Sequence, residues 1–196
     1  MSNHGIPTEY KSLRFRSRLE ATWARFFDAV EWPWKYEPFD YDGYIPDFAL
    51  LFPGGHILAE VKPCLSLEEM QEFTAPIDRS PWQHEALILG VGPIEVSASF
   101  TPAIGLHGNY DYWHPEQSEP RHRVWEPATL HFCGGCEHYS FHSTYGAWWC
   151  RWNGEKAGCD HHQFTGDSAE IQRLWHQAQN LVRWAPWAPR VVGSER

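Results

Sequence analysis

The string Phe52-Pro53-Gly54-Gly55 constrains this chain more than any other short segment. A proline followed by paired glycines is a strong turn signal, and apolar-rich runs flank it at residues 44–51 and 56–63. An antiparallel hairpin is the expected result. If those four residues form the loop, Leu51 pairs with His56, and counting back sets Asp47 opposite Glu60. Directly opposed residues have Cβ atoms roughly 5 Å apart. Two like charges that close repel unless a cation lies between them. Strand side chains alternate, so Glu60 and Lys62 share a face while Val61 points the other way. One face is expected to carry Asp47, Glu60 and Lys62 together. A solvated face with a cross-strand Lys–Glu pair is the bland alternative. Against it, Ile57 to Val61 is apolar on both faces, as in a buried central strand. Charge in such a strand is costly unless it is paired or bound to metal.

Upstream, Leu19, Trp23, Phe26, Phe27 and Val30 follow helical spacing and predict an amphipathic helix over about 15–31, ended by Trp32-Pro33. Glu20 falls at the edge of its apolar stripe. Ser17-x-x-Glu20 fits a capping box, and a carboxylate there also suits a site. The pattern leaves both readings open.

A helix carrying Glu20, then Pro46-Asp47, then Glu60-Val61-Lys62 on the next strand resembles the PD-(D/E)xK nuclease superfamily. The match covers about the first half of the chain. It looks closest to small bacterial and phage proteins with such a core followed by a Cys-rich segment. The resemblance implies a restriction-endonuclease-like core and metal-dependent cleavage of nucleic acid. It implies catalytic roles for Glu20, Asp47, Glu60 and Lys62. Asp47, Glu60 and the Val61 carbonyl would hold Mg²⁺ or Mn²⁺, with Lys62 orienting the attacking water.

Further along, a short strand is expected at Lys35–Glu37, a helix at about Leu67–Phe73 stopped by Ala75-Pro76, and a buried strand at Glu85–Val91. Ile94–Phe100 reads as another strand, and 107–127 as a long irregular loop. A last helix spans about Ser168–Arg183, with Ile171, Leu174, Trp175, Ala178, Leu181 and Val182 on one stripe. The expected fold class is α/β, a mixed central sheet flanked by helices with an inserted small zinc-binding module. The expected divisions are a core at 8–100, an irregular connection at 101–127, a zinc module at 128–165, a helix packing on the core at 166–184 and a tail at 185–196.

Four of the five cysteines fall between 133 and 159. Cys133-Gly134-Gly135-Cys136 has the knuckle spacing of a structural zinc site, and Cys150 and Cys159 can complete it, with His161 as an alternative ligand. Redox and disulfide readings are weaker, because no βαβ pattern surrounds the motif and the first residues lack a signal-peptide core. Cys64 stands apart and reads as a buried small residue.

The formal net charge is −9, which is awkward for a nucleic-acid-binding protein, since such binding draws on neutralised phosphates. Lys11, Arg14, Arg16 and Arg18 form the only dense basic run and are the candidate phosphate contacts. The twelve tryptophans serve mainly to fill the core, although aromatics also stack on unpaired bases. No run is apolar enough to span a membrane, so a cytoplasmic protein is expected.

Two functional readings follow. The first is a Mg²⁺-dependent DNA endonuclease, with RNA as a weaker alternative substrate and a homodimer or larger complex if both strands are to be cut. The second is an inactive nuclease-like scaffold that binds nucleic acid or protein through its zinc module.

Overall fold

Fourteen elements make up the described part of the chain. They are β1 (Thr8–Tyr10), β2 (Leu13–Phe15), α1 (Arg18–Ala29), β3 (Trp34–Tyr36), β4 (Phe48–Phe52), β5 (Gly55–Val61), α2 (Leu67–Gln71), α3 (Thr74–Arg79), β6 (Ala86–Ile94), β7 (Ala103–Tyr110), β8 (Arg123–Cys133), β9 (His138–His142), β10 (Phe164–Thr165) and α4 (Ser168–Leu181). The computed structural model describes residues 5–40, 42–52, 55–82, 85–96, 101–110, 123–133, 137–143, 164–165 and 168–182.

The pairing of β4 with β5 sets the centre of the molecule. Phe52 pairs with Gly55, Leu51 with His56 and Phe48 with Ala59. This is the register expected from the sequence, and one step further along it Asp47 faces Glu60. Pro63 follows β5 and ends the pairing. The chain then crosses through α2 and α3 and returns as β6, parallel to β5. A parallel return needs such a crossover, whereas the antiparallel β4–β5 pair needs only a tight turn. Strands β7, β8 and β10 extend the sheet on one side and β3 on the other, giving the order β10-β8-β7-β6-β5-β4-β3, with β9 paired to β8. The fold is mixed α/β. Trp32 donates its indole N–H to the Tyr139 carbonyl on β9 at 2.9 Å, so the sheet curls until its far ends meet.

One face of the sheet packs on α1 and α4. Phe48, Leu50, Ile57, Ala59, Leu87, Leu89, Ile104, Ala128 and Leu130 form a continuous core with Trp23, Phe26, Phe27 and Trp175. Trp23 is fully buried and satisfies its N–H on the Gly90 carbonyl at 2.8 Å. The opposite face carries Ala49, Leu58, Ala86 and Ile88 against Met70, Ile77 and Trp82. Period two therefore puts Asp47, Glu60 and Lys62 on this second face, beneath α2 and α3.

The structure differs from the sequence reading in several places. Residues 101–110, expected within an irregular connection, include β7, a strand paired on both sides. Its Gly105 lies so close to β6 that a Cβ would sit 1.9 Å from the Ile88 carbonyl oxygen. Strand β8 begins at Arg123 inside the same expected connection. Residues 128–133 belong to this sheet, and Ala128, Leu130 and Phe141 to the main core, so the first part of the expected zinc module is continuous with the core. Ala75-Pro76 does not end a helix but lies in the first turn of α3, where the missing proline N–H has no helical partner to lose. The hairpin of β1 and β2 was not anticipated. Residues 97–100 and 183–196 lie outside the described set, as do most of 111–163. No helix among the described residues is long and apolar enough to cross a membrane.

Candidate active site

Asp47 is the last residue before β4, Glu60 is the penultimate residue of β5, and Lys62 follows its end. Asp47 is 2 % exposed and Glu60 6 %. Burial at this depth requires compensation, and three groups supply it. The Val61 backbone N–H donates to Asp47 Oδ2 at 2.7 Å. Lys62 Nζ donates to Glu60 Oε2 at 2.6 Å and lies 3.9 Å from Asp47 Oδ2. The Arg16 guanidinium reaches Asp47 Oδ1 from the segment before α1. The structure thus brings Asp47, Glu60 and Lys62 together.

Even so, Asp47 is not at ease. Burial pushes its pKa up to about 6, and the facing Glu60 charge adds to the rise. Lys62, the Val61 N–H and Arg16 oppose the shift without cancelling it. For Lys62, burial pulls the pKa down, but Glu60 and Asp47 reverse this and the net shift is upward. Lys62 is therefore a charged donor held between two carboxylates.

Glu20 resolves into a cap with a second duty. Its backbone N–H donates to Ser17 Oγ at 3.1 Å, and Ser17 Oγ returns a bond to Glu20 Oε1 at 2.9 Å. Oε2 accepts from the Arg16 backbone N–H at 3.1 Å and from the Tyr36 hydroxyl at 2.6 Å. Satisfying orphan N–H groups at the helix start is what a capping box does. Glu20 Oε2 also lies 3.9 Å from Arg16 Nε, and Arg16 Nε is 3.1 Å from Glu37 Oε1. Glu20 thus meets the Asp47 cluster through Arg16.

The basic run does not form one phosphate-binding stripe. Lys11 turns away to Asp28 at 2.8 Å, Arg14 lies on β2, and Arg16 points into the carboxylates. Arg18 opens α1 and reaches the Gln179 carbonyl at 3.5 Å. Sequence reasoning missed Arg16 as an acid partner, along with Tyr36, Glu37 and Tyr44. Only the position of Arg16, next to the cap, could have hinted at it. Tyr44 lies beside Glu60, and burial, followed by that carboxylate, drives its pKa upward. Its hydroxyl is buried beside Glu60, with no hydrogen bond of good geometry among the described residues.

Carboxylates such as Asp47 and Glu60 are the donor type that a hard divalent cation takes. Four carboxylates, Glu20, Glu37, Asp47 and Glu60, face two cations, Arg16 and Lys62. Mg²⁺ needs only one or two protein carboxylates and keeps several waters. Among the described residues no group of three or more His, Cys, Asp or Glu is placed to hold a metal. Asp47 and Glu60 would thus be completed by water and by a main-chain oxygen such as that of Val61.

Of the candidate zinc ligands, Cys133 is described. It is buried at the end of β8, paired with His138, and its carbonyl accepts from the Glu137 N–H at 2.7 Å. Cys136, Cys150, Cys159 and His161 lie outside the described residues. Cys64 is buried after β5, and burial raises its pKa. His131 is held neutral on β8: burial lowers its pKa to about 4, helped by His142.

A second polar cluster lies deeper. His107 is fully buried between Glu85 and Ser143, with 3.2 Å contacts from its two ring nitrogens. It joins β7 to the segments before β6 and after β9, sealed from solvent.

Comparison of the chain with protein-family models, with curated proteins and with solved structures finds no match.

Proposed function

We propose that this protein is a divalent-metal-dependent nuclease that hydrolyses DNA phosphodiester bonds, an endonuclease of the PD-(D/E)xK type. One observation carries the reading: two buried carboxylates, Asp47 and Glu60, are brought together by the hairpin register and share a single lysine. A fold tolerates such repulsion where the site has a use for it. Asp47, Glu60 and the Val61 carbonyl would hold Mg²⁺ or Mn²⁺, and Cys133, Cys136, Cys150 and Cys159 a structural Zn²⁺, with His161 as the alternative to either of the last two.

A divalent ion held there would supply charge stabilisation at the phosphate and a more acidic water. Lys62 donates a hydrogen bond to the attacking water or to a phosphate oxygen, and its charge opposes the charge that builds up in the transition state. Glu20 positions rather than reacts: it fixes the start of α1 and the backbone of Arg16. Arg16 is 58 % exposed and can leave Asp47 for a phosphate.

The Arg16–Asp47 contact is also what favours the second reading, an inactive nuclease-like scaffold whose former metal position is neutralised by an internal cation. Incubating the purified protein with plasmid, linear, branched and single-stranded DNA in Mg²⁺, Mn²⁺ or EDTA separates the two. The nuclease reading expects cleavage in either metal and none in EDTA. Intact DNA in both metals would leave the scaffold.

A further inference from the structure

Beside the carboxylate pair lies a cleft of about 480 Å³, open at one side. Its charged half is formed by Arg16, Glu60 and Lys62. Its other half is apolar, with Ile45 and Tyr44 from the loop before β4 and Phe73 from the junction of α2 and α3. We infer that this cleft takes the base of one unpaired nucleotide, so that the site acts on single-stranded or splayed DNA rather than on intact duplex. The inference rests on the nuclease reading of the adjoining carboxylates.

Three observations support it. The volume lies in the range of small-ligand sites, about 300–1,000 Å³, and suits a single nucleotide rather than a helix. In a duplex the base faces are stacked inside and only groove edges and backbone are presented, which would leave the apolar wall without a partner. An unpaired base offers a π-face to that wall, while its phosphate falls beside Arg16 and Lys62. Ile45 is 45 % exposed, an apolar surface that the fold itself does not use.

Charge gives the third argument. The chain carries a net charge of −9, and Lys11, Arg16 and Lys62 are each held by carboxylates. Affinity for duplex depends on many neutralised phosphates, whereas the two cations lining the cleft, Arg16 and Lys62, match the one phosphate of a single nucleotide. Stacking on an aromatic side chain contributes independently of charge.

Fluorescence anisotropy on the full chain in EDTA tests the cleft without cleavage. The probes are a labelled oligothymidylate and a blunt duplex of the same length. The single strand should bind about tenfold or more tightly than the duplex. Phe73→Leu keeps an apolar side chain against Met70 and Ile77 but removes the ring, and should weaken single-strand binding about fivefold or more while leaving duplex binding unchanged. Ile45→Ala, on an exposed loop position, should weaken it in the same direction. Equal or tighter duplex binding, no binding of either probe, or no effect of both substitutions would overturn the inference. A Mg²⁺ cleavage assay run in parallel separates this from the nuclease reading. A protein that cuts duplex and single strand alike keeps the activity and loses the cleft. One that binds single strand through Phe73 yet cuts nothing keeps the cleft and loses the activity.

Discussion

Replacing Asp47 with asparagine should make the protein harder to melt and unable to cleave DNA. Asp47 is buried opposite Glu60, and its pKa rises from 3.8 to about 6 on folding. The folded state therefore binds more protons than the unfolded chain between these two values, and stability falls as pH rises through that window. Below about pH 4 both states are protonated and the penalty is absent; above about pH 6 it is fully present. A rise of this size costs about 3 kcal/mol at neutral pH. Asparagine is close in shape, can still accept from the Val61 N–H, and carries no charge. It gives up the attraction of Lys62 and Arg16, but the upward shift of the pKa already includes that loss. The gain should reach up to about 3 kcal/mol, which for a chain of this size raises Tm by up to about 10 °C. Calorimetry of both proteins in EDTA across pH 4 to pH 8 checks this. The two melting curves should converge near pH 4 and separate as pH rises to about 6. A variant that melts lower than the wild type at neutral pH would refute the reasoning, because it would mean that the Arg16 and Lys62 contacts outweigh burial and repulsion.

Lys62→Met should lower kcat by about 100-fold or more, far more than it weakens DNA binding, as expected of a group that acts in the transition state; single-turnover cleavage and anisotropy measure the two separately. Glu20→Ala removes the carboxylate that accepts from the Ser17 hydroxyl, the Arg16 backbone N–H and the Tyr36 hydroxyl, and should cost about 1–2 kcal/mol in denaturant unfolding while cleavage persists; full stability with lost cleavage would make Glu20 a direct participant instead. Elemental analysis of protein purified without added metal should find about one zinc per chain. Cys133→Ser should lose it and destabilise the fold, and Cys64→Ser should not change it.

The parts of the fold that could be read from the sequence are those governed by local signals. Pro53 and Gly54 set the turn, so the β4–β5 register and the opposition of Asp47 and Glu60 followed by counting. Helix α1 followed from the spacing of Trp23, Phe26 and Phe27 and from the Ser17 cap. Strand β7 was hidden because Gly105, His107, Gly108 and Asn109 break any apolar alternation. His107 is tolerated there only because Glu85 and Ser143, distant in sequence, meet its two ring nitrogens. Pro127 argued against a strand in β8, yet it pairs with Leu106 in the sheet. In the site, Arg16 looked like a phosphate contact because a basic run shows charge but not partner. Its engagement with Asp47 and Glu37 depends on the helix start being carried against the β3–β4 loop, which no short pattern records. Tyr44 was visible in the string before Asp47, but nothing in that string shows its hydroxyl buried beside Glu60.

The most direct test is Mg²⁺-dependent cleavage measured side by side for the wild type, Asp47→Asn and Glu60→Gln, on single-stranded and duplex DNA, with EDTA as the control. The account predicts cleavage by the wild type in Mg²⁺, none in EDTA, and none by either variant although both remain folded. Undiminished cleavage by either variant, or a wild type that leaves every DNA intact in Mg²⁺ and Mn²⁺, would contradict it.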